Sequence, residues 1–236
     1  MKRVKMICLL LIVVCILSGC ADKEAQQAVS NVEELISEIS IEDLNADSIE
    51  RAREAYDKLD EKLKEKISNY SALEEAESKM ESVRIEQLMC AAHTTLYLNI
   101  TGCTALSDGI SRVWKSAIDV RNADFNNALS ALFQGKGYSY IGKVIVSDDY
   151  ASNFKVALDT VKEDHTILEE DMRELASLDV DGTVYDALSD LYSEYVVLYN
   201  QVIAPSGSYI SYTADTNDSI RNINKAEAAL DIIWPY

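Results

Sequence analysis

The chain has 236 residues, with 40 acidic against 22 basic side chains and a formal charge of −18 at pH 7. That balance excludes nucleic acid as a partner and excludes electrostatic attachment to anionic lipid, because both need clustered Lys and Arg. Eight Gly and two Pro in the whole chain, set against plentiful Ala, Leu, Glu and Lys, favour helix over sheet.

Lys2, Arg3 and Lys5 precede an apolar run from Met6 to Leu17, followed by Ser18-Gly19-Cys20. A basic head, a short apolar centre and small residues before a cleavage point are the marks of a secretory signal peptide. The run is shorter than the roughly 20 residues that span a bilayer comfortably. Leu17-Ser18-Gly19-Cys20 resembles the lipobox of Firmicutes-type bacterial lipoproteins. The resemblance implies that residues 1–19 are removed and that Cys20 becomes the diacylated first residue of the mature protein. Several acyl chains, at about 0.8 kcal/mol per buried CH₂, then hold it durably on a membrane. Residues 1–19 carry three basic groups and no acid, so their loss leaves 19 basic against 40 acidic side chains, a formal −21. The expected address is the outer face of the cell membrane, extracytoplasmic and lipid-anchored through Cys20.

Residues 20–28 are polar and read as a tether. From there to residue 82 the pattern is that of a small helical module. Val29, Val32, Leu35, Ile36 and Ile39 recur at helical spacing. Asp47-Ser48-Ile49-Glu50 has the form of a capping box, and Ile49, Ala52, Tyr56, Leu59 and Leu63 make the apolar stripe that follows. Ser68-Asn69 marks a break, and Ser71-Ala72-Leu73-Glu74 is a second capping box. Residues 48–78 resemble the short helical modules between domains of Firmicutes surface proteins. Their pattern is A-R-x-A-Y-D-x-L, a charged helix, then N-Y-x-x-L-x-x-A-E. The matching positions are Ala52, Arg53, Ala55, Tyr56, Asp57, Leu59, Asn69, Tyr70, Leu73, Ala76 and Glu77. The turn before them departs from the pattern, with Ile41-Glu42-Asp43-Leu44 where a Gly-containing segment is common. The resemblance implies a spacer or interaction module and carries no catalytic residue. It does not extend over residues 83–236.

From residue 83 a second pattern begins, with Ile85, Met89, Ala92, Leu96, Ile100, Cys103, Leu106, Ile110, Val113, Ala117 and Val120 at threes and fours. Phe125, Leu129 and Leu132 are read as an extension of it. This predicts one long helix, or two joined near Ser107-Asp108-Gly109. Gly102 and Gly109 each cost about 1 kcal/mol relative to Ala inside a helix, which favours a bend there. Cys90 and Cys103 would lie about 19 Å apart on one continuous helix. A disulfide needs Cα atoms within about 7 Å, so they bridge only if the chain folds back between them. Otherwise they are small core residues. Residues 134–147 read as a loop with a β-like run from Ile141 to Val146. Helical spacing resumes through Phe154, Leu158, Val161, Leu168, Met172 and Leu175, and again through Val184, Leu188, Leu191, Tyr195, Leu198 and Val202, ended by Pro205-Ser206-Gly207. A last helix runs from about Ser208 to Ile233.

The expectation is an all-α chain, with a small N-terminal helical module followed by an elongated antiparallel helical bundle of about four helices over residues 83–236.

Two stretches imitate phosphate chemistry. Gly137-Tyr138-Ser139-Tyr140-Ile141-Gly142-Lys143-Val144 has the spacing G-x-x-x-x-G-K, but Val144 stands where a Mg²⁺-binding hydroxyl belongs, and no helix start follows. Ser177-Leu178-Asp179-Val180-Asp181-Gly182-Thr183 resembles the nucleophile loop of haloacid-dehalogenase-type phosphatases. That loop follows a buried strand, whereas the residues before Asp179 have helical period. Read as a calcium loop, the same stretch starts on Ser177 and ends on Leu188 where carboxylates belong. A helix–turn–helix corner is the simpler reading, with Gly182 in the turn and Asp181 or Thr183 capping the next helix.

His93 and His165 are the only histidines, and neither has partners at metal-ligand spacing. No nucleophile–base arrangement stands out, so no catalytic residue, metal or cofactor is expected. Tyr185, Tyr192, Tyr195 and Tyr199 lie on one side of a predicted helix. They read as core or core boundary, or as a face toward a ligand or partner, because Tyr joins an apolar ring to a polar tip. The functional expectation is a non-enzymatic, lipid-anchored surface protein that acts as an interaction or scaffold module for a surface protein or cell-wall component. The alternative is a bundle that binds a small molecule or glycan through its Tyr-rich face.

Overall fold

The computed structural model describes residues 23–119, 124–139, 145–178, 180 and 182–235, and these are almost entirely helical. The order is α1 (residues 23–37), α2 (Ala46–Asp57), α3 (Glu61–Lys64), α4 (Tyr70–Asp119), α5 (Phe125–Phe133), β1 (Tyr138–Ser139), β2 (Ile145–Val146), α6 (Asp148–Ser177), α7 (Thr183–Ile203) and α8 (Tyr209–Ile233). The chain is all-α, with one two-residue antiparallel pairing, Tyr138 opposite Val146 and Ser139 opposite Ile145. Among the described residues, no helix is long and apolar enough to cross a membrane.

The chain divides into two compact units, the first ending at Arg84 and the second starting at Ile85. The first unit packs α1, α2 and the start of α4 around Val32, Ile36, Ile49, Ala52, Leu73 and Ala76. Three local readings change here. Residues 23–27, expected as tether, already belong to α1. Helix α2 is capped two residues earlier than expected, by Asn45, whose side chain accepts from the Ser48 N–H. Helix α4 starts at Tyr70, so Ser71 lies inside the helix, and the Asn69 carbonyl takes the Ala72 N–H.

The second unit is a helical bundle. Its α4 is continuous through Ser107-Asp108-Gly109, so the pattern change at residue 83 and the joint near residue 109 are both absent from the backbone. The glycines serve another purpose. A Cβ on Gly102 would stand 2.6 Å from Val161 Cγ2, and one on Gly109 would stand 2.8 Å from the Tyr150 hydroxyl and 3.2 Å from the Phe154 ring. Both therefore let α6 approach α4 closely, and their helix-propensity cost is offset by packing. The order of these contacts makes α4 and α6 antiparallel. Trp114 meets Tyr212 near one end of the α4–α8 pair and His93 meets Trp234 at the other, which makes that pair antiparallel too.

Helix α5 is separate from α4 rather than an extension of it. It is capped by Asp124, buries Ala128 and Leu132, and sets Phe125 in a stack on Trp114 at 4.1 Å between ring centroids. Ser147 caps α6, with Asp148 and Asp149 in the first turn, where the helix dipole favours negative charge. Ser208 and Ser211 form a reciprocal capping box at the start of α8. Leu106, Ile110, Leu158, Leu168, Leu188 and Leu198 are among the side chains that close the core.

Candidate functional site

The module motif folds into one knot. Arg53 leaves α2 and donates from Nε and Nη2 to the two carboxylate oxygens of Glu77 on α4, a bidentate pair. Its Nη1 also reaches the Tyr70 hydroxyl at 3.4 Å, and its guanidinium lies 5.5 Å from the ring centroids of both Tyr56 and Tyr70. Those two rings stack at 4.4 Å. Asn69 donates to the Glu33 carbonyl and to Ser37 Oγ, which ties α1 to the turn before α4. Ala52, Leu73 and Ala76 are fully buried beneath. The recurring residues are thus accounted for by packing and pairing within the unit. A groove of about 580 Å³ lies between α1 and α2, with Val32, Leu35, Ala55 and Leu59 on its walls and Arg51 and Lys58 beside them.

In the second unit the tyrosine row divides. Tyr195 is fully buried and Tyr199 nearly so, while Tyr185 and Tyr192 are half-buried against the same core. The four do not share an outward face. The reason lies on α6: His165 stacks on the Tyr199 ring at 3.7 Å and places Nδ1 3.0 Å from the Tyr195 hydroxyl. The partners of His165 lie 30 and 34 positions away on another helix, so no local spacing in the sequence marks them. Burial lowers the pKa of this imidazole, against a smaller opposing pull from Glu169. Burial also raises the Tyr195 and Tyr199 phenols and pushes the Cys103 thiol up to about 12. A thiol held neutral in this way is a poor nucleophile. Cys90 and Cys103 both lie on the unbroken α4, too far apart to bridge. The Tyr212 hydroxyl and the Asn99 Oδ1 are buried with no hydrogen-bond partner among the described residues.

The imitations of phosphate chemistry resolve in part. The Gly137 N–H donates to the Asp148 carboxylate at 2.8 Å, so an acid already occupies the amide that would begin a phosphate cradle. Residues 140–144 lie outside the described residues, as do Asp179, Asp181 and the lipobox with Cys20. Helix α6 runs to Ser177, so the phosphatase-like stretch follows a helix and not a buried strand. The stretch joins α6 to α7, as the simpler reading held, but Thr183 is the first residue of the next helix rather than its cap. Gly182 occupies the cap position at φ 150° with no side-chain hydrogen bond. That backbone geometry suits glycine. Among the described residues, no three His, Cys, Asp or Glu side chains come together to hold a metal.

Two surface features remain. Between Glu86 and Asp108 the sequence holds no Asp, Glu, Lys or Arg, and the side of α4 there that faces away from the core is exposed: Ala91, Thr94, Tyr97, Leu98, Thr101 and Ala105. Tyr97 and Leu98 are 54% and 60% exposed. A shallow polar groove of about 510 Å³ runs between α7 and α8, lined by Asp190, Ser193, Glu194, Asn222, Lys225 and Ala226. No family model, curated protein or solved structure matches the chain.

Proposed function

We propose that this is a lipid-anchored protein of the outer face of the cell membrane, non-enzymatic, whose second unit docks a surface protein or cell-wall component through the exposed side of α4. The observation that carries the docking reading is the neutral face from Ala91 to Ala105, where a strongly acidic chain exposes Tyr97 and Leu98 with no charge among them. Exposed apolar surface flanked by charge marks contact sites more often than solvated faces. The anchor reading rests on the basic head, the short apolar run and Leu17-Ser18-Gly19-Cys20.

Two experiments test the reading. Cys20→Ser should move the protein from the membrane fraction to the soluble one, and continued retention would sink the anchor. A photo-crosslinking residue at Leu98, in the intact anchored protein, should yield a discrete adduct that the same residue at exposed Glu170 does not. The docking reading fails if the two positions give the same products.

A second reading, binding of a glycan or other small polar molecule, is supported by the α7–α8 groove and its hydroxyl, amide, carboxylate and ammonium groups. A thermal shift with a glycan panel that disappears in Asn222→Ala would favour it over docking.

A further inference from the structure

The α6–α7 seam pairs a half-buried imidazole with a phenol that has no access to water. Tyr195 is 0% exposed, and its hydroxyl has one hydrogen-bond partner among the described residues, His165 Nδ1 at 3.0 Å. A neutral imidazole with its proton on Nε2 accepts at Nδ1, so the Tyr195 O–H donates to it and both groups are satisfied. Protonation removes that acceptor. Nδ1 then carries a hydrogen, the bond survives only by reversing, and the phenolic hydrogen must find another acceptor inside the core.

The groups around it do not offer a good one. From α7 come the rings of Tyr192, Tyr195 and Tyr199. From α4 comes the Cys103 thiol, neutral and a weak acceptor. From α6 itself come Asp164, next to it in the chain, and Glu169 one turn on, and Glu169 favours the imidazolium. The Tyr199 face, stacked at 3.7 Å, also favours a cation. Against these stand desolvation of the charge, which outweighs Glu169, and a buried O–H left without an acceptor.

We propose that His165 is an acid-sensitive latch on the α6–α7 pair. Neutral, it accepts the Tyr195 hydroxyl and closes the seam. Protonated, it reverses that bond, orphans the phenolic hydrogen and loosens the two helices where they cross. The inference concerns the fold alone and stands whether or not the protein is anchored or docks a partner. Because His165 is disfavoured as a cation in the folded chain, the latch is fully closed above the ordinary histidine value of 6.5 and opens as pH falls below it.

The test is amide hydrogen exchange on the full chain at pH 7.5 and pH 5.5, corrected for intrinsic exchange rates. Protection in residues 158–172 and 188–202 should fall by more than about twofold across that range as His165 takes up its proton. His165→Gln, uncharged at both pH values, should hold its protection within about twofold. Tyr195→Phe, which has no hydroxyl to orphan, should lose much of the drop. An equal drop in His165→Gln and in the unaltered protein would overturn the proposal. The histidine ring resonance of His165 in the unaltered protein supplies a readout that needs no variant to fold: its titration midpoint should lie below 6.5, and a midpoint at or above 6.5 would also overturn it.

Discussion

The two units are held together by different means. In the first, a few apolar side chains are supplemented by a lateral network in which Arg53, Glu77, Tyr56, Tyr70, Asn69 and Glu33 tie three helices together. In the second, long helices close over a continuous apolar core that holds few polar side chains, Asn99, Ser107, Thr216 and Ser219 among them. Size explains the contrast. A short unit buries too small a fraction of its surface to rely on apolar packing, so directional pairs fix how its helices cross. Directional pairs need particular residues at particular positions, whereas an apolar core needs only a period.

The largest expected effect probes the second unit. Tyr195→Ala removes a fully buried ring and strands His165, and should destabilise by about 3–5 kcal/mol. Urea unfolding measures the loss, and amide exchange should place it in the second unit while protection in the first is unchanged. Equal loss of protection in residues 46–57 would mean that the two units unfold together.

Two glycines come next, for unlike reasons. Gly102→Val drives a branched side chain into Val161, already 2.6 Å from the position of a Cβ, and should cost about 1–3 kcal/mol. A double-mutant cycle with Val161→Ala should recover part of it, and additivity within about 0.5 kcal/mol would show that the contact does not limit the approach of α6. At Gly182 a Cβ meets nothing within 4 Å, but φ is 150°. Gly182→Ala should therefore cost about 1–3 kcal/mol through the backbone alone, with no second substitution able to rescue it. If Gly182→Ala is silent in thermal unfolding, the α6–α7 corner is not strained in the way its dihedral implies.

Arg53→Ala tests the first unit. The pair with Glu77 is bidentate and about 30% exposed on each side, so solvent screening reduces its worth to about 1–2 kcal/mol. Arg53→Lys should lose nearly as much, because an ammonium cannot make both bonds. Exchange in residues 46–57 and 70–80 should rise for both variants. Full retention in Arg53→Lys would show that charge, and not the fork, holds α2 to α4.

The same contrast decides what could be read from sequence. The all-α class, the extents of α6, α7 and α8 and their buried stripes follow from spacing, because each stripe faces a single core. The continuity of α4 does not, because Gly102 and Gly109 read locally as helix-weakening and only their contact with α6 reveals why they are there. The starts of α2 and α4 each come two residues before the expected ones, because Asp47 and Ser71 offer the same capping chemistry as Asn45 and Asn69. Arg53 and Glu77 were visible as members of a motif but not as partners, and His165 carried no local signal. Its meaning depends on Tyr195 and Tyr199, which a helix crossing brings to it.

A last prediction separates the units by pH. The Glu33 carboxylate accepts from the Ser68 N–H at 2.9 Å and from the Ser68 hydroxyl at 2.6 Å, which holds its pKa below the ordinary 4.5. The unfolded chain therefore takes up this proton first, so the contribution is fully present above pH 4.5 and is lost as pH falls through the lower folded value. The His165 contribution also disappears toward acid, but its window opens at 6.5. Acidification should consequently loosen α6 and α7 before it loosens α1, with residues 28–37 keeping their protection at pH 5.5 and losing it only as pH falls below 4.5. Glu33→Gln, which cannot bear the charge at any pH, should weaken that protection at pH 7 and flatten its response to acid. If residues 28–37 respond to pH identically with and without the carboxylate, Glu33 is a bystander, and α1 is held by Asn69 and the apolar contacts of Val32 and Ile36 alone.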